Sequence, residues 1–444
     1  MNKTPGPRSE GGSAPATRHG LLGKLFRAFM RWTLPVAVLL IQLDLVGRAT
    51  RARRRSGAVT GPRWDATKEA SNTRPPVAQA APATGQGFLG ELWDAVAPGR
   101  TFVLVIAVLL IELGFVFSYV GAFHHPTPHE VPIALVAPAQ ISGRLVGELN
   151  ALHGHPLHAT PVGTVTAGRK LLRHGSTSGV LIVNPVGKTD ALLVAGGGGA
   201  ATATAVEDVI AQVEAAQHRS ATITDAVPAQ PGDARSLSGF YLVIGWLVGG
   251  YLVAAMLSIA TRARPATTRR AIIRLTVLVP YAILSGLGGA IVVGPVLGAL
   301  TGHLLAIAAL GALIVYCAAT VTMAFQVFLG TIGVGLTLIL FVILGNPSAG
   351  GAYQAPLLPG FWRAISPALP NGAGVEALRR IVYFGSYNIT GNLLILSAYI
   401  VVAATVALIG TALLPRRTNA GTPTEPDGSA QTVKPGLAQT EAVV

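Results

Sequence analysis

Residues 101–122 read TFVLVIAVLLIELGFVFSYVGA, with Glu112 as the one charge in the run. A helix needs about 20 consecutive apolar residues to cross a hydrocarbon core about 30 Å thick, and this run supplies them. The same signal returns at 239–260 (GFYLVIGWLVGGYLVAAMLSIA), 275–297, 303–325, 327–345 and 392–414. The pattern predicts an α-helical polytopic membrane protein with six transmembrane helices. Composition agrees, because 51% of the 444 residues are hydrophobic and only 12% are charged, against about 25% charged in soluble domains.

The chain carries 33 Lys and Arg against 19 Asp and Glu, a net charge of +14. In a soluble protein that excess would point to nucleic acid. Here no aromatic-basic binding motif accompanies it, and nucleic acid is set aside as a partner. The arginines gather instead in residues 1–100, in the connector 261–274 (Arg262, Arg264, Arg269, Arg270, Arg274) and at Arg416 and Arg417. Short basic connectors stay on the cytoplasmic side of a bilayer. Both termini are therefore expected in the cytoplasm, at a bacterial inner membrane to judge from the abundance of Arg, Ala, Gly and Val. Residues 123–238 and 346–391 then fall outside. The turn expected near 324–326 would be cytoplasmic although it holds no Lys or Arg. Cys317 is the single cysteine, which excludes an intrachain disulfide and a thiolate metal site.

Residues 1–100 read as a mostly disordered basic cytoplasmic arm, rich in Pro, Gly, Ser and Arg. Within it, 34–46 (LPVAVLLIQLDLV) is too short to span and is flanked by arginines, the pattern of an interfacial helix. Residues 415–444 read as a disordered cytoplasmic tail. Between the first and second spans, 123–238 alternates short apolar runs (131–138, 179–185, 191–196) with helical patterns (140–152, 164–173, 203–216), which predicts a small extracytoplasmic α/β domain. The run Gly196–Gly199 reads as a flexible turn, with an anion-binding nest as the alternative. Small-residue pairs at four-residue spacing, Gly245 with Gly249 and Gly294 with Gly298, predict close helix approach. Pro280 and Pro295 predict kinks in the third span.

The stretch before the last span, LLPGFWRAISPALPNGAGVEALRR, is cut by prolines into pieces amphipathic enough for two short outer helices over 357–384, re-entrant or lying on the membrane, with Phe361 and Trp362 at headgroup depth. One span, an outer domain and a five-span block ending in this stretch resemble the type-2 ABC-exporter permeases, nearest the YhgE/Pip-like branch. The matching residues are Pro359, Gly360, Phe361, Ser366, Pro367, Leu369, Pro370, Gly374, Val375, Glu376, Ala377 and Arg379. The resemblance implies a permease-like exporter subunit that moves an amphipathic or lipid-linked compound outward. It implies a homodimer or heterodimer among membrane lipids, with Pro359, Gly360, Phe361, Trp362, Pro367, Pro370, Glu376 and Arg379 along the pathway. The nearest run to a P-loop, GTVTAGRK at 163–170, has Arg169 where the motif needs Lys and no Ser or Thr after Lys170, so the ABC-type ATPase would be a separate subunit. No nucleophile and base stand at recognisable spacing, and neither an enzyme nor a cofactor is expected in this chain.

Glu112 is a translocation candidate on physical grounds, because a carboxylate at mid-bilayer costs about 2.5–3.5 kcal/mol on insertion scales. His124, His125, His129, His153 and His155 are weak metal candidates; their spacing fits no closed motif and solvated side chains are the expectation. The rival reading is a non-transporting cell-envelope protein, for adhesion, assembly or phage reception, that uses the outer domain.

Overall fold

The computed structural model describes residues 99–260, 267–330 and 332–413, which belong to one contact-connected unit. The basic arm, the helix expected at 34–46, Arg262, Arg264 and the tail lie outside the described residues. The fold is predominantly helical with one small sheet. Among the described residues, five helices are long and apolar enough to cross a membrane: α1 (Gly99–Phe123), α5 (Ser238–Ala260), α6 (Thr268–Ile291, continued by a π-turn Val292–Val296), α7 (Leu304–Leu329) and α11 (Thr390–Leu413). The chain is built as a membrane protein.

The bounds of the helix expected at 327–345 are corrected. Helix α7 runs on to Leu329, with Gln326 buried and its Oε1 accepting from Ser258 Oγ at 2.5 Å. The turn expected at 324–326 therefore falls later, at Gly330. Beyond that turn stands a 17-residue helix, α8 (Ile332–Ser348), about 25 Å long at an α-helical rise against a core of about 30 Å. It returns the chain alongside α7 to the end where α1 finishes, and there Asn346 Nδ2 donates to Tyr119 Oη at 3.0 Å. Two short helices, α9 (Gly360–Ile365) and α10 (Pro370–Tyr383), precede α11.

Helices α5, α6, α7 and α11 form the packed core of the bundle. Its close approaches are not at the predicted glycine pairs. A Cβ on Gly245 would meet nothing within 4 Å, and one on Gly249 only side-chain hydroxyls at ordinary contact distance, Tyr281 Oη at 3.5 Å and Ser285 Oγ at 3.9 Å. Gly294 and Gly298 belong to the π-turn and its exit, where Gly298 takes φ +66°. The tight crossings are at Gly250, whose Cβ would lie 2.5 Å from Val315 O, and at Gly286, 2.3 Å from Ala308 O. Trp246 of α5 wedges between Gly289 of α6 and Gly311 of α7 and donates from its indole to Ser285 O at 3.1 Å. Pro280 is accommodated inside α6, and Pro295 sits in the π-turn that ends it.

Between α1 and α5 lies the α/β unit: β1 (Val131–Val136), α2 (Ala139–Asn150), β2 (Leu157–Pro161), α3 (Val165–Arg173), β3 (Gly179–Ile182), β4 (Thr189–Val194), α4 (Ala200–Ala216) and β5 (Ser220–Asp225). The three apolar runs expected as strands are β1, β3 and β4, and the three expected helices are α2, α3 and α4. Strands β2 and β5 are additional. Strand order is β2-β1-β3-β4-β5, with β1 parallel to β2 and β3, β4 antiparallel to β3, and β5 parallel to β4. Helices α2 and α4 cover one face over Ile133, Leu135, Leu181 and Leu192. Helix α3 covers the other, with Gly168 pressed on Val180, and Phe384 from beyond α10 shares that face.

At one end of the sheet Asp190, buried at the start of β4, receives Arg219 Nε at 3.3 Å and a close Arg219 Nη2, as well as Asn184 N at 2.8 Å. Arg219 also donates to Gly187 O and Asn184 O. Glu214 lies beside this pair, and its Oε2 has no hydrogen-bond partner. Burial, with the Asp190 carboxylate adding to it and Arg219 opposing, pushes the Glu214 carboxyl up to about 7. A folded pKa raised above the unfolded one means that stability is lost as pH rises from about 4.5 through 7. Replacing Glu214 with Gln is expected to stabilise the unit by about 2 kcal/mol at pH 8 and by only a few tenths at pH 4, below both pKa values. Thermal melts of the two chains in nanodiscs at the two pH values check this; equal gains at both would remove ionisation as the cause.

Candidate functional site

The α/β unit is fastened to the end of the bundle rather than tethered to it. Its glycine run is the main joint. A Cβ on Gly197 would lie 2.4 Å from the Tyr383 ring, on Gly198 2.9 Å from Phe384, and on Gly199 2.2 Å from Gln354. The run is the expected turn, a single 3-10 turn leading into α4, but it is a packed contact, with Gly196 N held by Asp225 Oδ1 at 3.0 Å and Gly197 N by Val227 O at 2.8 Å. Gln354 Oε1 accepts from Thr202 N at 3.1 Å and Thr202 Oγ1 at 2.8 Å, at the first turn of α4. The Tyr383 hydroxyl donates to Asp233 Oδ2 at 2.5 Å and accepts from Gln230 N at 3.3 Å. Burial first, then that bond to Asp233, raises the Tyr383 pKa above its ordinary value, so the hydroxyl stays a neutral donor. Gln230 in turn binds Thr301 at the exit from α6.

Beside the Gly198, Gly199, Thr202 and Gln354 contacts lies a cavity of about 390 Å³ between the α/β unit and the α9–α10 segment. The sheet side contributes Pro132, Thr177, Gly198 and Thr202, and the bundle side contributes Arg363, Pro367, Glu376, Arg379 and Arg380. The charges are uneven. Glu376 holds Arg379 Nη1 through Oε2 at 2.8 Å and Arg380 Nε through Oε1 at 2.8 Å. Arg379 also donates to Gly350 O at 2.8 Å and Arg380 to Tyr387 O at 3.0 Å. Arg363 has no ion-pair partner among the described residues. Three guanidinium groups face one carboxylate, a local excess of two positive charges. The arrangement suits a phosphate or carboxylate, for which a planar fork of N–H donors is the matching shape.

Of the motif residues singled out in sequence, the structure brings Ser366, Pro367, Glu376 and Arg379 to this cavity, with Gly198 and Gly199 of the glycine run opposite. Pro359 caps α9, Gly360 opens it and Pro370 opens α10, so these three shape the helices that carry the arginines. Phe361 is exposed, whereas Trp362 is buried against Ala122 and Leu358. The difference between the two rings arises because α9 folds one face onto the end of α1. Glu112 is exposed on α1, without a partner among the described residues. His124, His125, His153 and His155 are exposed or partly exposed, and His129 is half-buried. Among the described residues no three His, Cys, Asp or Glu side chains converge as a metal site. Arg363, Arg380 and Gln354 were missed from sequence. The signal present for them was a basic or amide residue within a stretch that must pack against apolar helices.

Fold and site together define a helical membrane protein with an α/β unit bolted across an arginine-lined cavity. Compared with known protein families, curated protein sequences and solved structures, the chain matches none.

Proposed function

We propose that this chain is the permease-like membrane subunit of a bacterial exporter, and that it moves an amphipathic or lipid-linked compound bearing an anionic group out of the cytoplasm. The observation that supports it is the arginine-lined cavity, placed where the α/β unit meets the α9–α10 segment at one end of the bundle. In this reading the α/β unit and that cavity lie outside. Helix α8 acts as a shortened sixth crossing, and both termini face the cytoplasm. An adhesion module would need only a tether, whereas this unit is joined to the bundle at Gly197, Gln354, Tyr383 and Gln230, as a part that transmits movement must be. A second permease unit set against α1 takes Glu112 out of lipid. Energy comes from a separate ABC-type ATPase.

The test is purification of the chain in mild detergent with its associated proteins, followed by reconstitution with phosphatidylglycerol or with phosphatidylcholine alone. An ATPase should copurify, and phosphatidylglycerol should stimulate its turnover. Arg363→Gln is expected to reduce that stimulation about tenfold while leaving expression intact, since a charge-assisted hydrogen bond contributes about 1.5–3 kcal/mol. If no ATPase copurifies, the cell-envelope reading replaces this one.

A further inference from the structure

The α/β unit holds a second cavity, remote from the arginine cluster and lined by no residue of the bundle. It measures about 530 Å³ and lies on the face that α2 and α4 share, within the roughly 300–1,000 Å³ typical of small-molecule sites. Its position is set by the topology. Helix α2 leaves β1 on one face of the sheet to reach β2, and α3 leaves β2 on the opposite face to reach β3. The carboxyl ends of β1 and β3 are therefore the point at which the crossovers part. In open α/β sheets, ligands bind in the crevice at that point. Here Leu135 and Pro138 at the end of β1, and Leu181, Val183 and Asn184 at the end of β3, line the crevice.

The walls are apolar and one end is not. Ile141, Leu145 and Leu149 of α2 face Val213 of α4, while Asp190, Glu214 and Arg219 close the polar end. Arg219 commits four of its five N–H donors to Asp190 and two carbonyl groups, and Asp190 accepts from Arg219 and Asn184 N. Glu214 is different: 4% exposed, with Oε2 unmatched by any hydrogen bond and 3.6 Å from Arg219 Nε. A buried acceptor left unmatched is destabilising by about 1–3 kcal/mol, and Glu214 borders the cleft, where a donor brought from outside would satisfy it. Of the other charged groups that line the cleft, Arg144 and Glu148 on α2 neutralise each other at 3.4 Å. The sum over Asp190, Glu214 and Arg219 is one negative charge.

We propose that the cleft at the β1/β3 switch point is a binding site for an amphipathic amine, its apolar body lying between α2 and α4 and its ammonium group on Glu214. The site is separate from the arginine cavity and does not depend on the exporter reading. It discriminates by head group, since an anion would meet the Asp190 and Glu214 carboxylates with no free cation to offset them.

Three probes of one shape isolate the head group: 4-phenylbutylamine, 4-phenylbutanol and 4-phenylbutyrate, titrated calorimetrically at pH 8 into the full chain in nanodiscs, with empty nanodiscs subtracted. The amine should bind about tenfold more tightly than the acid, the difference of one charge-assisted hydrogen bond, with the alcohol between them. Glu214→Gln should bring the amine to within about twofold of the alcohol, and Leu145→Trp, which fills the cleft, should remove binding of all three. Binding of the acid as tight as that of the amine, or wild-type titrations indistinguishable from those of Leu145→Trp, would overturn the proposal. An unaltered melting temperature at pH 4 for Glu214→Gln confirms that the variant is folded.

Discussion

Gly286→Val is expected to prevent the bundle from closing, whereas Gly288→Val, two residues further along the same helix, is expected to be nearly silent. A Cβ at 286 would meet Ala308 O at 2.3 Å and Ala312 N at 2.5 Å, both backbone atoms of α7 that no rotamer change can move aside. At 288 it would meet nothing within 4 Å. Relief at 286 requires α6 and α7 to separate, and that movement would also lift Gly289 and Gly311 off the two faces of the Trp246 wedge and stretch the indole bond to Ser285 O. Overpacking of a rigid core costs about 1–3 kcal/mol when side chains can yield; here backbone faces backbone, so a loss of about 3 kcal/mol or more is expected, against about 0.5 or less at 288. Thermal unfolding in detergent with size-exclusion profiles decides it. Equal melting temperatures for the two variants would show that the crossing is looser than the glycine geometry requires.

The two glycines also mark what a sequence can and cannot supply. Span-length apolar runs were legible because hydrocarbon thickness sets a length that composition alone reveals, and α1, α5, α6, α7 and α11 stand where those runs are. Strands β1, β3 and β4 were legible for a similar reason, being buried apolar runs. The edge strands β2 (LHATP) and β5 (SATITD) are half polar, and nothing local separates them from loops. Gly245 and Gly249 satisfy the small-residue spacing, yet the faces that meet use Gly250 and Gly286, because which face meets a neighbour is fixed by the other helices. The arginine cavity was half legible: Glu376 and Arg379 stand in the proline-cut motif before the last span, but Arg363 joins them only when α9 folds against the end of α1. The role of Gly196–Gly199 was not legible at all, since the aromatic rings that require those glycines lie nearly two hundred residues away.

Gly199→Ala is expected to loosen the α/β unit from the α9–α10 segment without unfolding either. Gly199 holds φ +139° and ψ 109°, a conformation that a side chain makes costly by about 1–3 kcal/mol. Its Cβ would also lie 2.2 Å from Gln354 Cδ and displace the amide that receives Thr202 N and Oγ1. Two hydrogen bonds worth about 1 kcal/mol each are then lost, and the total of roughly 3–4 kcal/mol falls on the joint itself. Gly154→Ala is the control, because Gly154 takes φ +79° with nothing within 4 Å of its Cβ, so only local strain is added. The buried Cys317 leaves engineered cysteines as the accessible labelling sites among the described residues. Spin labels at Val186→Cys and Ala364→Cys, both exposed, should give a narrow distance distribution in the parent chain and with Gly154→Ala, and a broad one with Gly199→Ala. A distribution that stays narrow with Gly199→Ala would mean that the Tyr383 and Gln230 contacts hold the unit by themselves. The glycine run would then add packing without deciding whether the unit stays fastened.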